Sequence, residues 1–441
     1  MESKNLITAI ALLISVSVAA FSQQADPESD FEVSLIDDGN VVKIINYLGD
    51  KSDVRIPSQI QGLPVTAIGE NAFRGKELTS VVIPDSVTII EYHAFMETQL
   101  TSITIPDSVT LIGHGAFQDN QLTGVSIGNS VTEIGYEAFA GNRLTGVTIP
   151  DSVTVIGKLA FSGNQLTSVS ISNSVTTIGQ EAFDVNDEIT VSPDNPNFCS
   201  IDGVLYNKNG TRLIRWPKSK PVNIPAGVTK IVDFAFQDCQ LTGVSIGNSV
   251  TTIWGRAFLR NYKMTAITVS SGNPNFSSID GVLYNKDGTR LIHWPAAKPV
   301  NIPTGVTVIG EYAFCIEEKW SSESNPVSVI IPDGVTKIER CAFFMRKLTG
   351  VTIPDSVTEI GGRAFSDNQL SSVVIPDSVT EIGYEAFSNN PLTSITIGAN
   401  VALYIESGLH TSFPNGFDLF YYANDKQAGT YVYRNDAWTR Q

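Results

Sequence analysis

Residues 78–99 read LTSVVIPDSVTIIEYHAFMETQ, and residues 100–121 read LTSITIPDSVTLIGHGAFQDNQ. The two segments have the same length and almost the same letters, and the second follows the first without a gap. A repeat of 20 to 50 residues is typical of a solenoid, in which each unit buries its apolar face against its neighbours. We therefore interpret the repeated segment as a structural unit rather than as a chemical site.

Phenylalanine marks the same place in each unit, usually within an Ala-Phe pair. This spacing predicts about a dozen coils between residues 54 and 400, each with a phenylalanine in the core. The clearest candidates for the core column are Phe95, Phe117, Phe139, Phe161, Phe365 and Phe387.

Within one unit, the pattern predicts two short strands followed by a turn. Val81 and Ile83 alternate with polar or outward positions, which is the period of a strand. Pro84 ends that strand because it has no N–H to donate, and the segment DSVTII forms a second one. The segment EYHAFMET then predicts a single helical turn that carries Phe95 into the core.

An asparagine follows the phenylalanine by three residues in many units. Stacked asparagine side chains are expected to hydrogen-bond to one another and to the turn backbone, so that buried polar groups find partners. The column comprises Asn120, Asn142, Asn164, Asn261, Asn368 and Asn390, with Cys239 at the equivalent place as a small inward residue.

Both ends depart from the repeat and are predicted to be caps that cover the exposed core of the terminal coils. Residues 23–53 form an N-terminal cap, a hairpin that turns at Asp38 and Gly39. Residues 401–441 form a C-terminal cap, in which the stretch from Phe417 onward reads as a second hairpin.

The opening L-x-x-V-x-I of each unit matches the strand half of a leucine-rich repeat, but IPDSVTxIGxxAF replaces the usual continuation. This variant resembles the BspA-like leucine-rich repeats of bacterial surface proteins, over about residues 31–441. The resemblance implies a right-handed, β-rich leucine-rich-repeat solenoid. It also implies an exported, surface-exposed protein that adheres to host matrix or to other cells; the fold transfers better than the ligand.

The first residues predict export. Lys4 precedes an apolar run over residues 6–20, and the small residues Ala20 and Ser22 suit cleavage between Ser22 and Gln23, so residues 1–22 read as a signal peptide. No later segment is long and apolar enough to span a bilayer. The net charge of −16 includes no basic cluster, which argues against nucleic acid as a partner.

The sequence offers little chemistry. Its four cysteines, Cys199, Cys239, Cys315 and Cys341, have no CxxC spacing, so we expect no metal site, and their pairing stays open. The four histidines, at 93, 114, 293 and 410, accompany no catalytic motif. We expect no cofactor and no enzymatic activity. The aspartates of the IPDS segments suit a turn better than a calcium site.

Two similar hairpin insertions interrupt the repeat, at about residues 193–221 and 271–299. Each turns at Asn-Gly or Asp-Gly, and each carries one tyrosine and one tryptophan. A third interruption, residues 315–326, displays a further tryptophan. These aromatic residues either seal the hairpins onto the solenoid or contact a ligand. The candidate ligand-binding residues are Trp216, Trp294, Trp320, Tyr206 and Tyr284.

The outward positions of the first strand are short and uncharged in nearly every unit. Such a row suits an extended partner that is held by many weak contacts. The first functional hypothesis is therefore an exported adhesin or interaction module for a protein partner. The alternative is a carbohydrate-binding surface protein that uses the hairpin aromatics as stacking platforms.

Overall fold

Every regular coil contributes two short strands, which pair in parallel with strands of neighbouring coils. The strands after the IPDS turn pair over long runs of coils, whereas those before it form small parallel sheets of two or three strands. A computed structural model describes residues 24–316, 327–404 and 411–441. Their backbone winds into a β-solenoid of about 16 turns, which confirms the predicted solenoid. The predicted signal peptide, residues 1–22, lies outside the described residues.

The strands that follow the IPDS turn form one column along the solenoid, here called the short-strand column. Its register is regular, with Ile90 beside Ile112 and Ile134 beside Ile156. The column divides into three runs: Leu63–Ile68, Ile89–Ile90, Leu111–Ile112, Glu133–Ile134, Val155–Ile156 and Thr177–Ile178; then Arg212–Arg215, Lys230–Ile231 and Thr252–Ile253; then Arg290–His293, Val308–Ile309, Lys337–Ile338, Glu359–Ile360, Glu381–Ile382 and Ala402–Leu403.

The strands before the IPDS turn form a second column, the long-strand column. Alternate side chains point inward, so Val81 is buried while Ser80 and Val82 are exposed. Its strands are Asp53–Arg55, Ser80–Val82, Ser102–Thr104, Gly124–Ser126, Gly146–Thr148, Phe161–Ile171, Phe183–Val191, Gly243–Ile246, Ala266–Val269, Val327–Ile330, Leu348–Thr352, Ser372–Val374 and Ser394–Ile397.

Proline separates the two columns. In the segment IPDSV the carbonyl oxygen of Pro84 accepts a hydrogen bond from Val87 N–H at 3.1 Å, which closes a tight turn. Proline also fixes φ in the range that this turn requires. Gly128 and Gly247 close the same turn in coils that lack the proline, so the chain turns at the equivalent place in these coils too.

At the N-terminus, a hairpin covers the first coil. Strands Phe31–Ile36 and Val41–Tyr47 are antiparallel, and the second continues in parallel with Leu63–Ile68. Two 3-10 helices, Glu28–Asp30 and Asp37–Gly39, flank the first strand, and strand Gln59–Ile60 pairs antiparallel with Leu63–Ile68.

The C-terminal cap differs from the expected hairpin in its first part, because Phe417–Ala423 is an α-helix. Its apolar residues Phe417 and Tyr421 are four apart and face the core together. Strands Gly429–Arg434 and Ala437–Arg440 then form an antiparallel hairpin. Gly429–Arg434 also pairs antiparallel with Ser394–Ile397 and covers that strand's free edge.

The segment expected to be a helical turn has another conformation. The backbone N–H groups of His93, Phe95 and Glu97 donate to carbonyl oxygens of the next coil at 2.8 to 3.0 Å. The residues between them bond within their own coil. His93 and Glu97 have φ of 53° and 60°, so the backbone alternates between left- and right-handed regions and no helix forms.

One aromatic ring from each coil packs on the ring of the next coil in three runs, from Tyr47 to Phe183, from Trp216 to Phe258 and from Trp294 to Phe413. This aromatic column forms the centre of the core. Phe117, Phe139 and Phe161 are fully buried and parallel, with ring centroids 5.3 Å apart. The other predicted core residues, Phe95, Phe365 and Phe387, are also fully buried. The expected dozen coils is too low because Tyr47, Trp216, Trp294 and Phe413 occupy this column outside any Ala-Phe pair.

A column of buried asparagines joins each coil to the one before it. Asn142 Nδ2 donates to the carbonyl oxygens of Phe117 and Phe139 at 2.9 and 3.1 Å. Its Oδ1 accepts from Leu122 N–H at 3.0 Å. The same three bonds recur at Asn120, Asn164, Asn261, Asn368 and Asn390. The partners are backbone groups of two coils rather than the neighbouring asparagines.

We predict that Asn142→Ala lowers the free energy of unfolding by about 1–3 kcal/mol, because it leaves buried backbone groups of two coils without partners. Urea unfolding followed by circular dichroism measures the change. Asn129→Ala is the matched control because Asn129 is exposed. Equal stability of the two variants would contradict the assigned role of the column.

Candidate binding surfaces

The four hairpin aromatics lie inside the solenoid. Trp216 and Trp294 are 2% and 3% exposed, and Tyr206 and Tyr284 are equally buried. This burial favours the first of the two roles considered, in which the rings seal the hairpins onto the solenoid. Tyr206 and Trp216 also border a cavity of about 650 Å³, and ligand contact by these residues stays a prediction. Trp320, the fifth candidate, lies outside the described residues.

The burial follows from the way each hairpin joins the array. The last hairpin strand, Arg212–Arg215, enters the short-strand column beside Lys230–Ile231. Trp216 N–H then donates to Ala235 O at 2.8 Å, the bond that Phe95 N–H makes to Ala116 O in a regular coil. Trp216 therefore takes the place of phenylalanine in the aromatic column, 5.5 Å from Phe236. Trp294 does the same, 5.3 Å from Phe314.

The hairpin coils, those containing Trp216 and Trp294, are shorter than regular coils on their outer side. Trp216 follows Leu213 by three positions, whereas Phe95 follows the equivalent Ile90 by five positions. The outer turn is therefore reduced, and the turns of the two flanking coils meet across the gap. Gln237 Nε2, for example, donates to Glu181 at 2.9 Å.

The first gap is filled by a buried arginine. Arg215 donates to the carbonyl oxygens of Phe234 and Gln237 at 2.9 and 3.1 Å and lies 3.5 Å from Asp184. Burial alone would raise the pKa of Asp184, but the charges of Lys218 and Arg215 outweigh it and lower that pKa. The cavity left at this gap is only about 80 Å³.

The second gap has a histidine where the first has Arg215. His293 packs against Phe258 with ring centroids 5.4 Å apart. Burial, assisted by the charge of Arg346, lowers the pKa of His293 to about 4, so the ring is uncharged at neutral pH. The cavity here is about 730 Å³ and opens to solvent. We call it the Trp254 cleft.

Trp254 stands at a position that is glycine in most coils. At Gly135, for example, an added Cβ would lie 2.7 Å from the backbone of the preceding coil at Gly113. The Trp254 ring lies at the outer surface and is 40% exposed. The guanidinium of Arg212 lies over the ring, 5.4 Å from its centroid.

Charged groups of both signs line the Trp254 cleft. Arg256 forms an ion pair with Asp233 at 2.9 Å and lies over the Tyr312 ring at 5.1 Å. Burial raises the pKa of Tyr312, so its hydroxyl stays protonated, and it shares a hydrogen bond with the side chain of Cys341.

The opposite wall contributes two further arginines. Arg290 forms a two-bond ion pair with Glu339. Arg340 donates through Nε to Tyr384 at 3.0 Å and lies 3.4 Å from Glu311. Arg340 and Glu311 are both about half exposed, so this pair is accessible to a molecule in the cleft.

A second surface lies on the outside of the long-strand column. Its outward positions are mostly serine or threonine, and Arg55 and Glu188 are charged exceptions. Large apolar side chains interrupt the row near the C-terminal end, where Ile330 is 73% exposed and Val374 is 60% exposed. Thr352 lies between them, beside Ile330 in the paired strand.

Within the described residues, no three His, Cys, Asp or Glu side chains are grouped as metal ligands. Among the aspartates of the IPDS segments, Asp107 joins two coils, because its Oδ1 accepts from Asn129 N–H of the next coil at 2.7 Å. The four cysteines are unpaired with one another. No helix in the described part of the chain combines the length and apolar character needed to cross a membrane.

Sequence reasoning did not single out the residues of the cleft. Trp254 could have been found by aligning the coils, because Ile-Trp replaces the usual Ile-Gly at this place. The other cleft residues, Arg256, Arg290, Glu311 and Arg340, occupy variable positions and carry no such signal.

The chain matches a family model described as BspA type leucine rich repeat region, in six copies over residues 66–190, 216–289 and 293–411. No curated protein matches it. Among solved structures, a leucine-rich repeat protein from Eubacterium ventriosum is 22% identical, with 86% of this chain and 95% of that chain covered and a TM-score of 0.45.

Two other solved structures are similar to this chain, with lower TM-scores. A leucine rich cell surface protein from Faecalibacterium prausnitzii is 27% identical, covering 86% of this chain and 89% of that chain, with a TM-score of 0.39. The pneumococcal vaccine antigen PcpA is 23% identical, covering 84% and 80%, with a TM-score of 0.36.

A buried tryptophan and an exposed tryptophan are expected to contribute very differently to stability. Trp294→Ala empties a place in the aromatic column and is expected to cost about 3–5 kcal/mol. Trp254→Ala removes an exposed ring and is expected to change the free energy of unfolding by at most about 0.5 kcal/mol. Denaturant unfolding of both variants measures this difference. A stable Trp294→Ala variant would show that the ring does not support the core.

Proposed function

We propose that this chain, which belongs to the BspA-type leucine-rich repeat family, is an exported cell-surface module that binds a protein partner and acts in adhesion. Proteins with leucine-rich repeats generally bind proteins, and those of the BspA-like type are typically surface proteins. The partner is a host matrix protein or a protein on another cell. The proposal includes no catalytic step.

The observation that carries the proposal is the composition of the long-strand face. The chain has a net charge of −16, yet this face presents an uncharged row through successive coils. Its members are Val82, Thr104, Ser126, Thr148, Ser170, Ser245, Thr268, Ile330, Thr352, Val374 and Thr396.

Such a row favours a protein surface over a charged polymer. Hydroxyl groups at regular spacing offer hydrogen bonds to a polypeptide, and neighbouring strands place them about 4.8 Å apart. Ile330 and Val374 add branched apolar side chains, which gain free energy when a partner covers them. Exposed apolar side chains grouped on one face are typical of protein interaction sites.

Export is the second part of the proposal. It rests on residues 1–22, whose apolar run and small residues before Gln23 are typical of a secretory signal peptide. Cleavage there leaves a chain that begins just before the N-terminal cap.

The test is a binding measurement on the mature chain with immobilised matrix proteins and whole cells. We predict that the double variant Ile330→Asp, Val374→Asp weakens attachment about ten-fold or more, because a desolvated carboxylate opposes an apolar contact. The melting temperature should not change, since both side chains already face solvent.

Leu419→Asp is the matched control, because Leu419 is 62% exposed but lies on the C-terminal helix. It should bind as the parent chain does. Full attachment of the double variant, or an equal loss in the control, would show that the long-strand face is not the binding surface.

A further inference from the structure

We propose that the Trp254 cleft is a carbohydrate-binding site that accommodates a short oligosaccharide. This site is separate from the long-strand face and does not depend on it. It also differs from the carbohydrate hypothesis based on the hairpin aromatics, since those rings are buried.

The cleft is a consequence of the shortened coil rather than a gap common to all coils. The two hairpins are near copies, with VLYN and TRLI at the same places in both. Their gaps nevertheless differ in volume, about 80 Å³ against about 730 Å³. The larger volume lies within the range of about 300–1,000 Å³ that is typical of small-molecule sites.

The two gaps, which differ in volume, also differ in the residues at two equivalent positions. Where the first gap holds the cationic Arg215, which bonds to backbone carbonyls of the next coil, the second holds the shorter His293. Where the coil before the first gap has Gly179, the coil before the second has Trp254. The second gap therefore combines open space with an exposed aromatic ring.

The lining suits a sugar because it offers donors and acceptors side by side. Each sugar hydroxyl both donates and accepts, so it pairs best where a guanidinium lies next to a carboxylate. Arg340 and Glu311 provide such a pair at 3.4 Å, half exposed, and Arg256 with Asp233 provides a second at 2.9 Å. Asn285 and Arg290 add an amide and a guanidinium to the same cleft.

Trp254 supplies the apolar part of the site. The C–H faces of a sugar ring are apolar and flat, and they pack against an exposed indole with little loss of conformational entropy. The guanidinium of Arg212 lies over the ring, 5.4 Å from its centroid. An aromatic platform beside paired charges is thus present in one cleft.

Other ligand classes fit less well. Each of the three arginines, Arg256, Arg290 and Arg340, is paired with a carboxylate, of Asp233, Glu339 and Glu311 respectively, so a strongly charged polymer of either sign meets repulsion. An apolar ligand would leave these charged groups without water. A polar, largely neutral ligand with one flat apolar face avoids both penalties.

The experiment is a glycan array probed with the mature chain, followed by titration of each bound oligosaccharide by calorimetry. Trp254→Ala should weaken binding about ten-fold or more, and Trp254→Phe should retain part of it. Tyr136→Ala is the matched control, because Tyr136 is also 40% exposed but lies outside the cleft. It should bind the sugar as the parent chain does.

The same titration with the Ile330→Asp, Val374→Asp variant separates this proposal from the protein-binding function, and it should leave sugar affinity unchanged. The proposal is overturned if the intact chain binds no oligosaccharide on the array. It is also overturned if Trp254→Ala binds normally, or if Tyr136→Ala loses as much affinity. If Trp254→Ala weakened the binding of a protein ligand but left the binding of every sugar unchanged, the proposal would be wrong and the cleft would be part of a protein interface instead.

Discussion

The structure depends on one requirement: each coil must present to the next a surface that fits at the spacing of a parallel β-ladder. The stacked rings of the aromatic column meet this requirement at about 5 Å, and the asparagines meet it with hydrogen bonds to the backbone of two coils. Neither interaction acts at long range, so the stability of the array arises mainly between neighbours. A residue that disturbs the spacing affects its own coil and the two beside it.

The hairpin coils show how far that requirement can be relaxed. Trp216 and Trp294 keep the aromatic column nearly continuous, while the outer turn of the same coil is shortened. The inner side of the solenoid therefore remains packed, and the outer side opens by an amount that depends on which residue enters the gap. Arg215 closes the first gap with bonds to Phe234 and Gln237, whereas the second gap, which has His293 at the equivalent position, is open to solvent. Repetition provides the scaffold, and departures from it provide the distinctive surface.

The sequence predicts most of the scaffold, because the 22-residue period, the strand alternation and the proline turn are local signals. It does not predict that Trp216 and Trp294 are buried, because their burial depends on the last strand of each hairpin pairing within the short-strand column. Nor does it predict the cap helix Phe417–Ala423, which is short and whose Asp418 accepts hydrogen bonds from Ser412 and Phe413 N–H. The cleft was missed because its residues come from several coils and are close only after folding. Trp254 alone has a local signal, a tryptophan in the place of glycine.

The central claim is that neighbouring coils stabilise one another and that this stabilisation is weakest at the hairpin coils. Residue-resolved native-state hydrogen exchange of the full chain tests this claim most directly. The buried side chains form three large clusters whose boundaries lie near residues 204–205 and 282–283. The account predicts three blocks of amides, each exchanging as a unit, with boundaries at the two hairpin coils. One uniform level of protection across both hairpins, or block boundaries within a run of regular coils, would contradict it.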